Sequence, residues 1–388
     1  MTTKNSANVG VLRPTIQTCV DKIVKQQEYI EHVIKTRAIT DGDNYLAELF
    51  EVEIKGKTKN GDKQTNLFVK RATVPEGMTK ISHSDIHARE KYTYGEFYDI
   101  ANDLMNEAKV PESEKFRLVD CYDANNEVLV FENLAQQGFV TLQRTDAIQY
   151  QFTKLAIEQL AKFHGLSFVM QKKRSKYFER NVKPLGYPVK MKTEVYAKFI
   201  QDSIDTCLDQ LDDNRKEILR AAAYNFDHFY KFYKKPWRCL CHGDYRSLNF
   251  LIKKEKRSIV DLIPIDFQFI YYGNPMNDFF YLMIPHTDQE FRKQHLQTMK
   301  ELYYTSLTQF LKYFDIDVAD IYSRNDFDSD YKERALYGLG MAIIFMPFLF
   351  AKSDRKDDVV KSSLVLLEDG AKERLEGIID DYVEWGLI

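Results

Sequence analysis

The hydrophobic pattern of the chain predicts helices and strands in a definite order. Residues 15–38 carry apolar side chains at helical spacing with charges between them, which predicts an amphipathic opening helix. Over residues 49–55 the period falls to two, because apolar and charged residues alternate there, and this predicts a half-buried strand. Residues 65–72 predict a second strand, which follows a polar turn.

The chain divides into two regions that differ in predicted secondary structure. Residues 83–108 have a helical pattern, and short strands return on both sides of a turn at Asn125. We therefore expect an N-terminal lobe over residues 1–133, with a small antiparallel sheet, a helix packed on it and the opening helix before it. Residues 134–388 are mostly helical in pattern, and short strands interrupt them only over 240–272. The prediction is an α+β fold with a large helical C-terminal lobe.

Long helices are predicted over residues 146–170 and 193–233. The uncharged segment over residues 335–351 is at the lower edge of the length that spans a membrane, and Gly338 and Pro347 interrupt it. We therefore expect a buried core helix there, and no membrane partner.

Length and charge narrow the possible functions. The chain has 388 residues and a formal net charge of -3, so it has no basic excess for binding a phosphodiester backbone. Nucleic acid is therefore not an expected partner. The N-terminal residues contain no apolar core of a secretory signal, and we expect a cytoplasmic monomer.

The cysteines agree with an intracellular location. The chain has 5 of them, too few and too scattered for a disulfide framework, which favours reduced thiols. Cys239 and Cys241 form a C-x-C pair, but no second Cys or His pair follows at a zinc-finger spacing. Buried thiols are therefore favoured over a zinc site.

The segment CHGDYRSLNF, residues 241–250, concentrates groups that bind metals and accept protons. Asn249 is followed by an apolar run, a charged turn and a second apolar run that ends at Asp266. If the two runs pair as a hairpin, Asn249 and Asp266 lie close together. Carboxylate and carboxamide oxygens favour a hard cation such as Mg²⁺, and Asp244 in the preceding loop could accept a proton from an attacking hydroxyl.

These residues resemble the H-G-D-x-x-x-x-N and D-F-x elements of kinase-like small-molecule phosphotransferases, the group that includes aminoglycoside and choline kinases. More narrowly, residues 264–283 resemble the ecdysteroid-kinase-like family, with Phe279 in place of its usual leucine. The resemblance implies a protein-kinase-like bilobal fold that binds ATP and Mg²⁺. It also assigns roles: Asp244 is the catalytic base, His242 braces the catalytic loop, Asp278 supports that loop from behind, and Asn249 and Asp266 hold the metal.

The same resemblance extends upstream to the nucleotide. It implies that Lys70 contacts the α and β phosphates and that Glu90 is its helical partner, although Glu96 competes for that role. The other nucleotide-binding residues that it implies lie in the phosphate-covering hairpin and in the connection between the lobes: Gly42, Asn44, Tyr45, Phe131, Glu132, Asn133 and Leu134.

The implied reaction is transfer of phosphate from ATP to a hydroxyl of a small molecule. A protein acceptor is disfavoured, because Gly243 replaces the arginine of H-R-D and no long activation segment with A-P-E follows Asp266. By resemblance the favoured acceptor is an ecdysteroid or another hydroxylated steroid or xenobiotic. The alternatives are a choline- or aminoglycoside-type kinase and a catalytically weak, ligand-binding pseudokinase. The 26 Phe and 24 Tyr residues chiefly fill the core, and some could line a pocket for a flat, apolar acceptor.

Overall fold

The protein combines a small N-terminal sheet with a larger helical part, which confirms the predicted α+β fold. A computed structural model describes residues 12–39, 47–73, 83–143, 148–189, 194–223, 231–234, 236, 238–256, 258–352 and 366–388. The predicted boundary between residues 133 and 134 stays a prediction.

Antiparallel pairing joins the strands of the N-terminal sheet: β1 (Glu31–Ile39), β2 (Ala47–Thr58), β3 (Gly61–Ala72), β4 (Cys121–Ala124) and β5 (Val128–Glu132). Their spatial order is β1-β2-β3-β5-β4. Val52, Ile54, Leu67 and Val69 are buried on one face, as the alternating pattern of β2 and β3 predicts.

Helix α1 (Pro14–Gln26) covers this face of the sheet. Its residues Ile16, Val20 and Ile23 are fully buried and form one apolar cluster with the inward side chains of β2, β3 and β5. Burying both apolar surfaces is what holds the helix on the sheet.

The opening helix predicted over residues 15–38 is wrong beyond Gln26, because residues 31–39 form strand β1. Glu28 adopts a left-handed backbone with φ of 58°, which ends the helix. Ile30 and Val33, which the helix would have buried, are each 64% exposed. Backbone pairing of β1 with β2 decides the conformation here.

The helical segment predicted over residues 83–108 is confirmed, with one irregularity. Helices α2 (His83–Tyr92) and α3 (Tyr98–Glu107) are joined by a π-helical turn over Thr93–Phe97. Within this turn Gly95 has non-helical angles, φ of -109° and ψ of -106°. The turn changes the direction of the side chains that follow it.

Helices make up most of the C-terminal lobe and enclose the largest apolar core. The helices described there are α4 (Tyr150–Lys173), α5 (Ser175–Asn181), α6 (Glu194–Leu208), α7 (Asp213–Ala223), α8 (Pro275–His286), α9 (Gln289–Lys312), α10 (Arg324–Phe350) and α11 (Ala371–Glu384). Helix α4 packs against α9, and α10 packs against α8 and α6.

The single helix predicted over residues 193–233 is wrong, because α6 ends at Leu208 and α7 begins at Asp213. The side chain of Asp212 accepts a hydrogen bond from the backbone N–H of Arg215 at 3.1 Å. This bond caps a new helix start, which the apolar periodicity alone does not reveal.

Helix α10 contains the apolar segment in which a core helix is predicted. Within the described ranges it is the one helix long and apolar enough to cross a membrane, and 78% of its most apolar window is buried inside the protein. It packs against α8 and α6. The segment is therefore a buried helix, as predicted.

Short strands within the helical lobe flank the polar segment over residues 242–249. They are β6 (Phe139–Val140), β7 (Cys239–Cys241), β8 (Phe250–Glu255), β9 (Ser258–Pro264) and β10 (Tyr271–Gly273). Strands β8 and β9 form the predicted hairpin. At its open end the backbone N–H of Ile265 donates to the carbonyl of Asn249 at 2.9 Å, so the two ends of the hairpin lie side by side.

Candidate active site

The catalytic loop, residues 242–249, leaves β7 and enters β8 through tight local turns. The backbone N–H of Arg246 donates to the carbonyl of Asp244, and the N–H of Asn249 donates to the carbonyl of Arg246, each at 2.9 Å. These turns bring Asp244 and Asn249 together, although five positions separate them in the chain.

Two hydrogen bonds and one ion pair orient the Asp244 carboxylate, which is 6% exposed. The Asn249 amide nitrogen donates to Oδ2 at 2.8 Å, and Nε of Arg246 lies 3.3 Å from the same oxygen. The hydroxyl of Tyr281 on α8 donates to Oδ1 at 2.6 Å. A carboxylate held in this way can align a hydroxyl group and accept its proton.

Asn249 and Asp266 provide oxygen atoms at the converging ends of the hairpin. The amide nitrogen of Asn249 donates to both the backbone carbonyl and the carboxylate of Asp244, at 2.8 Å each, which turns its amide oxygen the other way. Asp266 has a left-handed backbone, with φ of 67° and ψ of 60°, a conformation that a functional site often imposes on a residue other than glycine. One carboxylate and one carboxamide oxygen in this arrangement fit Mg²⁺.

Lys70 on β3 connects the sheet to this hairpin. Its Nζ lies 2.7 Å from Oε2 of Glu90 on α2 and 2.7 Å from Oδ1 of Asp266. Burial lowers the pKa of Lys70, but the charges of Asp266 and Glu90 outweigh this effect and raise the pKa, so the amine stays charged. Burial raises the pKa of Glu90, and the positive charge of Lys70 acts against this effect. Glu90 is thus the lysine's partner in the structure, and Glu96 is exposed.

Arg89 ties α2, the helix that carries Glu90, to the helical lobe. Its Nη1 donates to the backbone carbonyl of Gly186 at 2.8 Å and to that of Ile270 at 2.6 Å. The position of Glu90 therefore depends on contacts with both lobes.

Asp278 holds the start of the catalytic loop from behind. Its carboxylate accepts the backbone N–H of His242 at 2.6 Å and that of Gly243 at 2.9 Å. Nε2 of His164 lies 3.1 Å from the same carboxylate, and Nδ1 of His164 lies 2.8 Å from the hydroxyl of Tyr303. This buried network fixes the backbone immediately before Asp244.

His242 lies between the catalytic loop and the hairpin. Burial lowers the pKa of its imidazole, which is therefore neutral. Its Nε2 donates to the carbonyl of Ile265 at 3.1 Å, and its Nδ1 accepts the backbone N–H of Asp244 at 3.3 Å. These contacts make His242 a positioning residue, the brace that the sequence suggests, rather than a group that meets the reacting atoms.

Cys239 and Cys241 lie close to His164, with their ligand atoms within 4.8 Å of one another. Both ring nitrogens of His164 already contact other groups, and burial raises the pKa of each thiol. A metal needs deprotonated thiolates and an available imidazole nitrogen. The arrangement therefore favours buried thiols, as the sequence does.

The segment predicted to connect the lobes begins at the end of β5. The backbone N–H of Glu132 donates to the carbonyl of Asp120, and that of Asn133 donates to the carbonyl of Asn66, each at 2.9 Å. These bonds fix the path of the chain at this point. Phe131 and Leu134 are buried beside it. Their predicted contacts with adenine stay a prediction. The residues predicted for the phosphate-covering hairpin lie outside the described residues: Gly42, Asn44 and Tyr45.

Tyr281 is the site residue that sequence reasoning missed. A tyrosine inside the apolar helix α8 has the pattern of a core residue, and it is 1% exposed. The available signal was its spacing: three positions after Asp278, it lies on the same side of the helix as a residue expected to support the catalytic loop.

Gly243 is required by both conformation and space. Its φ is 80°, and a Cβ there would lie 2.2 Å from the carbonyl oxygen of Phe269. We expect Gly243→Ala to destabilise the protein by at least about 3 kcal/mol, because a left-handed alanine costs about 1–2 kcal/mol and the contact with the carbonyl adds to this. The matched control is Gly138→Ala, where φ is 85° but no atom lies within 4 Å. Chemical denaturation of both variants measures the difference, and equal losses would contradict the steric argument.

The solved structures that match this chain do so at low sequence identity. The gentamicin–APH(2″)-IIa complex is 14% identical, covers 87% of this chain and 97% of its own, and has a TM-score of 0.35. The GDP complex of wild-type aminoglycoside 2′-phosphotransferase-IIIa is 11% identical, with coverages of 96% and 99% and a TM-score of 0.41. Glucosamine kinase is 12% identical, with coverages of 96% and 82% and a TM-score of 0.37. A search of curated proteins finds no match.

The comparison with family models gives a direct assignment. The model of the ecdysteroid kinase-like family matches residues 41–316. This range is more than half of the chain, and it contains β3 with Lys70, the catalytic loop and the hairpin that ends at Asp266. The chain therefore belongs to the ecdysteroid kinase-like family of small-molecule kinases.

Proposed function

We propose that the protein transfers the γ-phosphate of ATP to a hydroxyl group of a small molecule, and that the favoured acceptor is an ecdysteroid or another hydroxylated steroid or xenobiotic. One observation supports the reaction above all others. The Asp244 carboxylate, which two hydrogen bonds and one ion pair orient, lies in the same loop as Asn249, beside the hairpin end at which Lys70 contacts Asp266. The cytoplasmic location and the monomeric state stay predictions.

Five polar residues of the site have roles in the proposed reaction. Lys70, held by Glu90, would contact the α and β phosphates, and Asn249 and Asp266 would hold Mg²⁺. When bound, Mg²⁺ supplies positive charge that neutralises the phosphate oxygens. Asp244 would align the acceptor hydroxyl with the γ-phosphate and accept its proton.

The choice of acceptor is supported by an aromatic surface that extends from the base. We use this term for Tyr281, Phe345, Phe348, Phe199 and Tyr196. The ring centroids of Tyr281 and Phe345 are 4.8 Å apart, and those of Phe345 and Phe348 are 5.6 Å apart. Phe199 follows at 6.0 Å from Phe348, and Tyr196 at 6.3 Å from Phe199.

Part of this surface remains accessible. Phe345 and Phe348 are half-buried on α10, whereas their neighbours Met346 and Leu349 are buried. Flat apolar rings gain free energy by covering such side chains, while their hydroxyl groups extend towards polar atoms. Because Tyr281 packs on Phe345 and donates to Asp244, a ring system that covers Phe345 would lie near the base and could present a hydroxyl to it.

The test is a panel of acceptors incubated with purified protein and Mg-ATP, with product detected by mass spectrometry. The panel contains ecdysone, other polyhydroxylated steroids, plant aglycones, choline and an aminoglycoside, and Asp244→Asn is the inactive control. We expect the steroids and aglycones to be phosphorylated. Phosphorylation of choline or the aminoglycoside alone would replace this acceptor class by an amino alcohol. ATP binding without transfer to any alcohol would favour a ligand-binding pseudokinase.

The aromatic surface makes a separate prediction about affinity. Phe345→Leu should raise KM for a steroid acceptor by about 2- to 10-fold, because an aromatic contact contributes about 0.5–1.5 kcal/mol beyond its buried area. KM for ATP should not change. The control is Phe350→Leu on the same helix, which lies outside the surface and is 4% exposed. Equal acceptor KM values in the two variants would remove Phe345 from the acceptor site.

A further inference from the structure

Helix α8 contacts the catalytic loop at three successive points. Asp278 accepts the backbone N–H groups at the start of the loop, and Tyr281 donates to the carboxylate of Asp244. His286 lies with Nδ1 3.0 Å from the hydroxyl of Ser247, near the end of the loop. The helix thus fixes the backbone of the loop and, separately, the side chain of the base.

The donors around Asp244 are divided unequally between its two oxygens. Oδ2 faces both the Asn249 amide at 2.8 Å and Nε of Arg246 at 3.3 Å. Oδ1 accepts the Tyr281 hydroxyl at 2.6 Å. A carboxylate oxygen offers about two lone-pair directions, and the Arg246 side chain lies beside Oδ2 as an ion pair, so we expect an acceptor hydroxyl to approach the second lone pair of Oδ1.

Tyr281 is suited to remain a donor on Oδ1. Burial, and then the charge of Asp244, raise the pKa of its phenol well above the usual value, so the proton stays on Tyr281. Its ring packs on Phe345 at 4.8 Å and has little room to turn away, since it is 1% exposed.

We propose that Tyr281 is a positioning residue, whose hydroxyl occupies one lone pair of Asp244 Oδ1 throughout the reaction and confines the acceptor hydroxyl to the other. This inference rests on the proposed phosphotransferase function. Two effects follow from it. The carboxylate is held at a fixed angle to the metal-binding end of the hairpin, and a polyhydroxylated acceptor can offer its hydroxyls from one direction only.

Tyr281→Phe removes the hydroxyl and retains the ring. We expect kcat to fall by about 10- to 100-fold, the range for losing a hydrogen bond to a charged group. KM for ATP should stay within about 3-fold, as should KM for the acceptor, because the ring contacts and Asp244 remain. The distribution of phosphorylated isomers on a polyhydroxylated steroid should broaden, because a second direction of approach opens.

The control is Tyr382→Phe on α11, where an equally buried tyrosine donates to the carbonyl of Ala335 at the same 2.6 Å. Both variants lose one buried hydrogen bond and should show similar decreases in Tm. The experiment measures kcat, KM and product isomers with ecdysone as the first acceptor, and Mg-ATP hydrolysis with water as the acceptor in parallel. A loss of kcat and a changed isomer ratio in Tyr281→Phe, absent from Tyr382→Phe, are the expected results.

The outcomes separate this inference from the function on which it rests. If the wild type phosphorylates an alcohol and Tyr281→Phe matches it in rate and isomers, the positioning role is wrong while the function stands. If the wild type phosphorylates no alcohol in the panel, the acceptor proposal fails. The rates at which the variants hydrolyse Mg-ATP then test the positioning role of Tyr281. A lower hydrolysis rate in Tyr281→Phe than in Tyr382→Phe would support the role, and equal rates would overturn it.

Discussion

Asp244→Asn is expected to lower kcat by roughly a thousandfold while ATP affinity stays within about 3-fold, because a positioned general base contributes about 10²- to 10⁴-fold. The geometry should survive the change. Asparagine retains one oxygen to accept the Asn249 amide, and its own amide group can donate to the Tyr281 oxygen. What is lost is the negative charge that orients and deprotonates the acceptor hydroxyl.

Steady-state kinetics measures kcat, and calorimetry measures the affinity for ATP. Asp261→Asn is the control, since Asp261 lies on β9 and pairs with Arg117 at the surface, at 2.5 Å, away from the catalytic loop. It should be fully active. If kcat of Asp244→Asn were within about tenfold of the wild-type kcat, Asp244 would be excluded as the base, because removing a general base lowers the rate by about 10²-fold or more.

Asp266→Ala should remove the gain in ATP affinity that Mg²⁺ provides, with a loss of at least about tenfold in its presence. Affinity for ATP without Mg²⁺ should hold or rise slightly, because Lys70 loses one of its two carboxylate partners and keeps Glu90. This opposite response of the two affinities distinguishes a lost metal ligand from general damage to the cleft.

Backbone strain needs its own control at this position. Alanine is disfavoured at a φ of 67°, whereas asparagine tolerates it. Asp266→Asn should therefore fold like the wild type and still weaken Mg-ATP binding. Isothermal titration calorimetry measures the affinity of each of the two variants for ATP, once with Mg²⁺ and once with a chelator. An unchanged affinity for Mg-ATP in both variants would place the metal elsewhere.

The order of the active-site elements could be predicted because their spacing is local. The interval from Asp244 to Asn249 and the hairpin that returns to Asp266 depend on turns and on neighbouring strands, which leave clear patterns. Lys70 could be placed on its strand for the same reason. The pairing of Lys70 with Glu90, which joins distant elements, followed only from the resemblance to a family, and the contact of Lys70 with Asp266 was not predicted.

Other features depend on geometry that spacing does not encode. Glu90 precedes the π-helical turn and Glu96 lies within it, after the non-helical Gly95, so a regular helical period cannot say which one faces Lys70. The apolar residues over 30–34 fit either a helix or a strand, and pairing with β2 decides between them. The apolar pattern of α8 marks Tyr281 as a core residue, and its spacing from Asp278 places it on the side of the loop without revealing that its hydroxyl bonds Asp244.

The tie that Arg89 forms between α2 and the helical lobe has a consequence for control. In protein kinases the corresponding lysine–glutamate pair is completed when phosphorylation repositions the helix, and that step is a switch. Here the helix is attached to the carbonyls of Gly186 and Ile270 by the protein's own guanidinium group. This attachment would keep Glu90 beside Lys70 without a repositioning step, so we expect the ion pair to be formed in the unmodified protein.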